Sequence, residues 1–166
     1  MDPNRVKARM RVRSTSELST DQKRQIFTIW NEEYPEFLAH KSLDDFESFL
    51  VKLENAIHYL AESEDKIMGW VSKFDREGSP WFSIIISSQV QGKGIGSILM
   101  NQLKAHSDEL NGWVVDRDSY FKVDGEAYRS PMGFYIKNGF EVTSDRFVND
   151  DFEAVRVRWT QEPPGS

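Results

Sequence analysis

The chain has 166 residues, the size of one domain rather than two, and such a domain buries enough surface to fold without disulfide or metal staples. It has no cysteine, which excludes disulfides, thiolate metal sites, iron–sulfur clusters and a cysteine nucleophile. With 21 basic and 27 acidic residues the formal charge is −6, which argues against a nucleic-acid partner, and apolar runs such as Ile84-Ile85-Ile86 fall far short of the ~20 residues that span a bilayer.

The N-terminus alternates Arg5, Lys7, Arg9, Arg11 and Arg13 with Val6, Ala8, Met10 and Val12, a period of two that predicts a half-buried strand with a basic outer face. No apolar segment of the secretory type follows, so the expected location is the cytoplasm. Ser19-Thr20-Asp21-Gln22 is a capping-box pattern that opens a helix with Ile26, Ile29 and Trp30 on one side, ended by Pro35. A second helix starts near Ser42, with Phe46, Phe49, Leu50 and Leu53 at helical spacing. Residues 56–62 and 67–74 read as strands joined by the turn Ser63-Glu64-Asp65-Lys66, and Asp75-Arg76-Glu77-Gly78 turns into a third strand, Trp81 to Ile86. Its unbroken isoleucines predict cover on both faces, as at the centre of a sheet.

A glycine-rich turn at 91–96 leads into a helix with Ile95, Ile98, Leu99 and Leu103 on one side, which Asn111-Gly112 is expected to end. A short strand at Trp113-Val114-Val115 precedes an irregular polar stretch, 116–129. Ser130-Pro131 has the pattern of a serine N-cap with proline at the first helical position, and Asn138-Gly139 closes that helix after two turns. Strands near Phe140-Glu141-Val142 and Ala154 to Trp159 complete an α+β order, β-α-α-β-β-β-α-β-α-β-β. A single domain over 1–166, with an ordered core over 8–160, is expected.

The most informative segment is Gln91-Gly92-Lys93-Gly94-Ile95-Gly96-Ser97, between a buried strand and an amphipathic helix. Glycines let the backbone approach a ligand closely, and a helix start offers unpaired N–H groups to an anion, above all a phosphate. A Walker A loop needs Ser or Thr after its lysine, whereas Gly94 follows Lys93; a dinucleotide fingerprint needs Gly-x-Gly-x-x-Gly, whereas the spacing here is Gly92-x-Gly94-x-Gly96. Although Asp116 sits where that fingerprint expects its ribose-binding acid, the preceding strands form hairpins and not βαβ units.

Gln91-x-x-Gly94-x-Gly96 after a buried strand resembles the acetyl-CoA signature of the GNAT superfamily of N-acetyltransferases. Phe134-Tyr135-Ile136-Lys137-Asn138-Gly139-Phe140 is similar to the family's second signature, a helix ending in Tyr-x-x-x-Gly-Phe before a strand. The resemblance runs from the first strand to the last. It implies a mixed, mostly antiparallel sheet of six to seven strands flanked by about four helices, with a splayed strand pair that holds CoA. It implies pyrophosphate held by the backbone of Gln91 to Ser97, with added charge from Lys93. The pantetheine arm would pair with the backbone of Ile84, Ile85 and Ile86.

The reaction implied is direct attack of a neutral amine on the acetyl carbonyl, with acetyl-CoA as cosubstrate and no metal. An amine of pKa ≈ 10.4 is neutral about once in 2,500 molecules at pH 7, a penalty of about 4.6 kcal/mol, so a base, a water relay or a dry site is needed. Tyr135 matches the family's general acid for the leaving thiolate. No carboxylate lies between Trp81 and Ser88, where many members place a glutamate; Asp116 is the nearest candidate base, followed by His58 and Asp118. The asparagine that usually precedes the tyrosine helix is also absent, and 116–129 resembles an insertion forming part of the acceptor wall.

Between Ser14 and Met68 stand 12 acidic and 5 basic residues, and an acidic lip there would favour a cationic amine. Trp30 and Tyr34, with Phe37 and His40, are the candidates for lining the acceptor pocket. The acceptor is an amine of a small molecule or a protein, and the assembly is a monomer or a homodimer. An acyl-CoA-binding module without turnover is the alternative.

Overall fold

The structure, a computed structural model, describes residues 10–161. Its elements follow the expected order: β1 (Arg11–Thr15), α1 (Thr20–Glu33), α2 (Leu43–Val51), β2 (Glu54–Ser63), β3 (Lys66–Arg76), β4 (Ser79–Ile86), α3 (Ile95–Ala105), β5 (Glu109–Val114), α4 (Met132–Lys137), β6 (Glu141–Val148) and β7 (Glu153–Thr160). Short 3₁₀ turns follow α1 at Glu36–Leu38 and β4 at Ser88–Val90. Of the alternating N-terminal strand, Arg11 and Arg13 are seen, exposed on β1; Arg5 to Arg9 lie outside the described residues. Among the described residues no helix is long and apolar enough to cross a membrane.

All seven strands form one sheet in the order β1-β2-β3-β4-β5-β7-β6. Every pairing is antiparallel except β4 with β5. The turns joining β2 to β3 and β3 to β4 are two-residue loops whose central residues all have positive φ, Glu64 and Asp65 in one, Glu77 and Gly78 in the other, which matches the right-handed twist of the strands they join. β4 is the central strand, as its isoleucine run predicts. Ile84 belongs to the core under α3 with Leu99 and Leu103, whereas Ile85 belongs to the opposite core with Ile26, Trp30, Phe46 and Trp70.

Ser19 caps α1 reciprocally with Gln22, and Ser42 caps α2 through the Asp45 N–H. Two expected boundaries differ. α3 ends at Ala105, and Asn111-Gly112 lies inside β5: Asn111 is fully buried, its amide donating to the Pro80 carbonyl at 3.0 Å. A Cβ on Gly112 would stand 2.8 Å from the Phe82 ring, so here the glycine serves close approach between strands and not helix termination. α4 starts one residue later than the Ser-Pro pattern suggests, with Pro131 as N-cap and the Ser130 hydroxyl accepting from the Met132 N–H at 3.3 Å.

Segment 116–129 is a small hairpin bridged at Phe121 and Ala127. It docks on the chain leaving α1, where the Glu36 N–H donates to the Phe121 carbonyl at 2.8 Å and Pro35 bridges Lys122.

Candidate active site

β4 and β5 pair at a single position, Trp81 with Asn111, and then diverge. The wedge between them opens into a cavity of about 730 Å³, lined on one side by the β4 residues Phe82 to Ile86 and on the other by Trp113, Val114 and Val115. The Ser87 N–H donates to the Met68 carbonyl, which fixes the ladder's alternation and turns the peptide groups of Ile84 and Ile86 away from β3, toward the wedge. Both carbonyls are taken: Tyr34 Oη donates to Ile84 O at 2.8 Å and Gln91 Nε2 to Ile86 O at 3.0 Å. Among the described residues nothing accepts from the Ile84 and Ile86 N–H groups on this edge.

At the far end of the wedge stands the glycine turn. Gly92 and Gly94 have φ of +80° and +82°, a region that disfavours other residues. Gly94 is the N-cap of α3 and contributes no side-chain cap; the first amide paired backward is Ile98, to the Gly94 carbonyl at 3.1 Å. The N–H groups of Ile95, Gly96 and Ser97 are therefore left for a ligand. Gly96 serves packing: a Cβ there would lie 3.0 Å from the Phe134 ring. Gly92, Gly94, Ile95, Gly96 and Ser97 all line the cavity; Lys93 does not, and its N–H is bound to the Val90 carbonyl.

Tyr135 enters the cavity wall from α4. Gly139, at φ +86°, closes that helix with N–H donations from Gly139 to Ile136 and from Phe140 to Tyr135, a Schellman arrangement that explains the spacing of tyrosine, glycine and phenylalanine. It clamps the Tyr135 ring between Phe82 and Phe140, at centroid distances of 5.9 and 5.6 Å. Burial, then the neighbouring Tyr128, raises the Tyr135 pKa well above a free phenol's, so its hydroxyl stays protonated. Tyr34 is likewise raised, by burial and then by Tyr135 and Tyr128; three phenols converge on one cavity.

Trp30 and Tyr34 line the cavity, but Phe37 and His40 do not. Phe37 stacks on Phe152 at 4.6 Å, and His40 packs among Trp30, Phe46 and Phe49. Asp116 stands outside it, bound by both terminal nitrogens of Arg146 at 3.3 and 3.4 Å, and Asp118 accepts from the Ser130 N–H at 2.6 Å. His58 is a core residue: its Nδ1 accepts from Trp70 Nε1 at 3.1 Å, and burial lowers its pKa to about 4.

Sequence reasoning missed Glu33 and Lys122. Glu33 is 7% exposed; its carboxylate accepts from the Ser88 N–H at 2.6 Å and from Lys122 Nζ at 3.2 Å. A signal for it existed, because Ile26, Ile29, Trp30 and Glu33 fall on one helical stripe, and an acid on an apolar stripe calls for a partner. Lys122, on the hairpin, carried none. Of the 12 acidic residues between Ser14 and Met68, Glu33 is the one lining the cavity.

No curated protein sequence matches the chain. Solved structures do. An aminoglycoside 6'-N-acetyltransferase complexed with coenzyme A shares 15% identity, with 94% of this chain and 99% of that one covered and a TM-score of 0.70. A ribosomal-protein-alanine N-acetyltransferase from Brucella melitensis shares 16% identity over 91% and 99%, with a TM-score of 0.65. An acyl-CoA N-acyltransferase from Pseudomonas aeruginosa shares 13% identity over 90% and 98%, with a TM-score of 0.66. At such identities these likenesses establish the fold. The family model described as an acetyltransferase (GNAT) domain matches residues 54–142, more than half of the chain, from β2 through the wedge, the glycine turn and α4 into β6. The chain belongs to the GNAT family of acetyltransferases.

Proposed function

We propose that the protein transfers an acetyl group from acetyl-CoA to a primary amine by direct attack, with both substrates in the cavity between β4 and β5. The observation that carries this reading is the meeting, in one cavity, of an uncapped helix start behind two left-handed glycines, a central strand with open N–H groups, and a protonated tyrosine. The residues present fit the cosubstrate. The amides of Ile95, Gly96 and Ser97 would hold the pyrophosphate, and the Ile84 and Ile86 N–H groups would meet the pantetheine arm, with Gln91 holding the Ile86 carbonyl. When bound, acetyl-CoA supplies the activated acyl thioester.

Tyr135 Oη is the proton source for the departing sulfur. Burial disfavours its phenolate, so Tyr135 holds its proton and offers an O–H donor to the sulfur; the same burial raises the basicity of a thiolate released beside it, so that the proton can pass as the C–S bond breaks. Asp116 is paired with Arg146 and Glu33 with Lys122, and deprotonation of the amine is assigned to the cavity environment rather than to either of these carboxylates. Trp30, Phe74, Trp81 and Trp113 line the cavity, and an ammonium entering such a wall has its pKa lowered by desolvation and sheds its proton to water. Thiol release from acetyl-CoA against polyamines, amino acids, aminoglycosides and peptides tests the reading. Release with one class of amine supports it, whereas cofactor binding with no release by any of them makes the protein a binding module.

A further inference from the structure

Among the described residues, one half-buried guanidinium of the cavity wall has neither a hydrogen-bonded acceptor nor a salt-bridge partner. Arg76, the last residue of β3, lines the cavity with its Cζ 5.1 Å from the Phe74 ring centroid and 5.2 Å from that of Trp81. Among the described residues no oxygen accepts a hydrogen bond from it. Glu77, next in the chain and exposed, acts on it at a distance; burial is the larger influence and lowers the Arg76 pKa. Arg156 makes the contrast. It too stacks on Trp81, at 5.5 Å, but its donors are spent on Asn111 at 2.9 and 2.6 Å and on Asp145 at 2.7 Å. Of the other charged residues that line the cavity, Glu33 pairs with Lys122, and Glu126, Arg129 and Lys137 are exposed. Arg76 lies on the same sheet face as Phe74, Trp70 and the α1–α2 core, since β3 residues two apart share a face, and it reaches the cavity near the point where β4 and β5 part at Trp81.

We propose that Arg76 binds a carboxylate of the acceptor, so that the acceptor is an amine that also carries an acid group, with an apolar body laid against Phe74 and Trp81. The inference rests on the cavity's role as an acetyl-transfer site and narrows the amine it serves. Stacking on two rings holds the planar fork in place, and its free donors match a carboxylate bidentately. An arginine so placed repels a purely cationic amine, contrary to the preference that the acidic composition of residues 14–68 suggests.

The test is calorimetric titration of the CoA-loaded protein with phenylacetate and with 2-phenylethylamine, probes of similar shape and opposite charge. Phenylacetate is expected to bind at least about tenfold more tightly, the scale of a hydrogen bond to a charged group. Arg76→Met should remove that preference while the affinity for CoA is retained, and Arg76→Lys should keep part of it. Equal or tighter binding of the amine, no binding of the acid, or an acid preference that survives Arg76→Met would overturn the proposal. CoA is titrated separately, and the probes are also titrated into the free protein. Failure to bind CoA would sink the acetyl-transfer reading, yet the free protein would still report whether Arg76 selects the acid.

Discussion

The two ends of the cavity are made of different material. At the glycine turn the groups offered are backbone amides of consecutive residues, Ile95 to Ser97, at a helix start that follows two glycines with positive φ. At the other end the wall is made of side chains from α1, β3, β4, β5 and the 116–129 hairpin: Glu33, Arg76, Trp81, Trp113 and Lys122. A backbone site needs particular residue types at fixed spacing in one stretch, because only some residues allow the conformation. A side-chain wall needs only that distant positions meet, so it changes freely while the fold stays the same. Two of the similar folds illustrate this: one is named for acetylating aminoglycosides and the other for acetylating a ribosomal-protein alanine.

The comparison breaks most sharply at Tyr135, where the two ends meet. Tyr135→Phe is expected to lower kcat by about 10²–10⁴, the range for losing a general acid, with CoA affinity nearly unchanged; an unaltered rate would reduce the residue to packing. Stability against pH comes next. His58 titrates at about 4 in the folded protein against 6.5 when free, so the unfolded chain binds more protons between these values. Stability is fully present above pH 6.5 and should fall by roughly 3 kcal/mol as the pH drops to 4. Denaturant melts across that window check this, and a His58→Asn variant should show a flatter dependence.

At the backbone end, Gly94→Val strains a residue at φ +82° and crowds the anion cradle. It should weaken CoA binding by about a hundredfold or more, the scale of two lost charged hydrogen bonds, with circular dichroism confirming that the protein is folded. The smallest effect is expected at Tyr34. Tyr34→Phe removes one hydrogen bond to Ile84 O and should cost about 1 kcal/mol of folding stability, read from the shift of a denaturant midpoint.

Legibility in the sequence follows the same division. The element order, the hairpin turns and the double cover of Ile84 and Ile85 are local matters of period and turn chemistry, and they were readable. Asn111-Gly112 misled because that pair commonly ends helices, and nothing local reveals that Phe82 needs the space above Gly112. Asp116 was chosen by position in the chain, where nothing local reveals its contact with Arg146, 30 residues away. Glu33 and Arg76 could have been noticed as charged residues on inward-facing registers. Lys122 could not, since its partner is 89 residues distant.

Isothermal titration of the purified protein with acetyl-CoA is the most direct measurement of the central claim, that main-chain amides at the start of α3 hold the cosubstrate. Saturable binding at one site per chain, weakened about a hundredfold or more in Gly94→Val and retained in Tyr135→Phe, is the result expected. No binding heat from acetyl-CoA or CoA with the native chain, or binding indifferent to Gly94→Val, would contradict it.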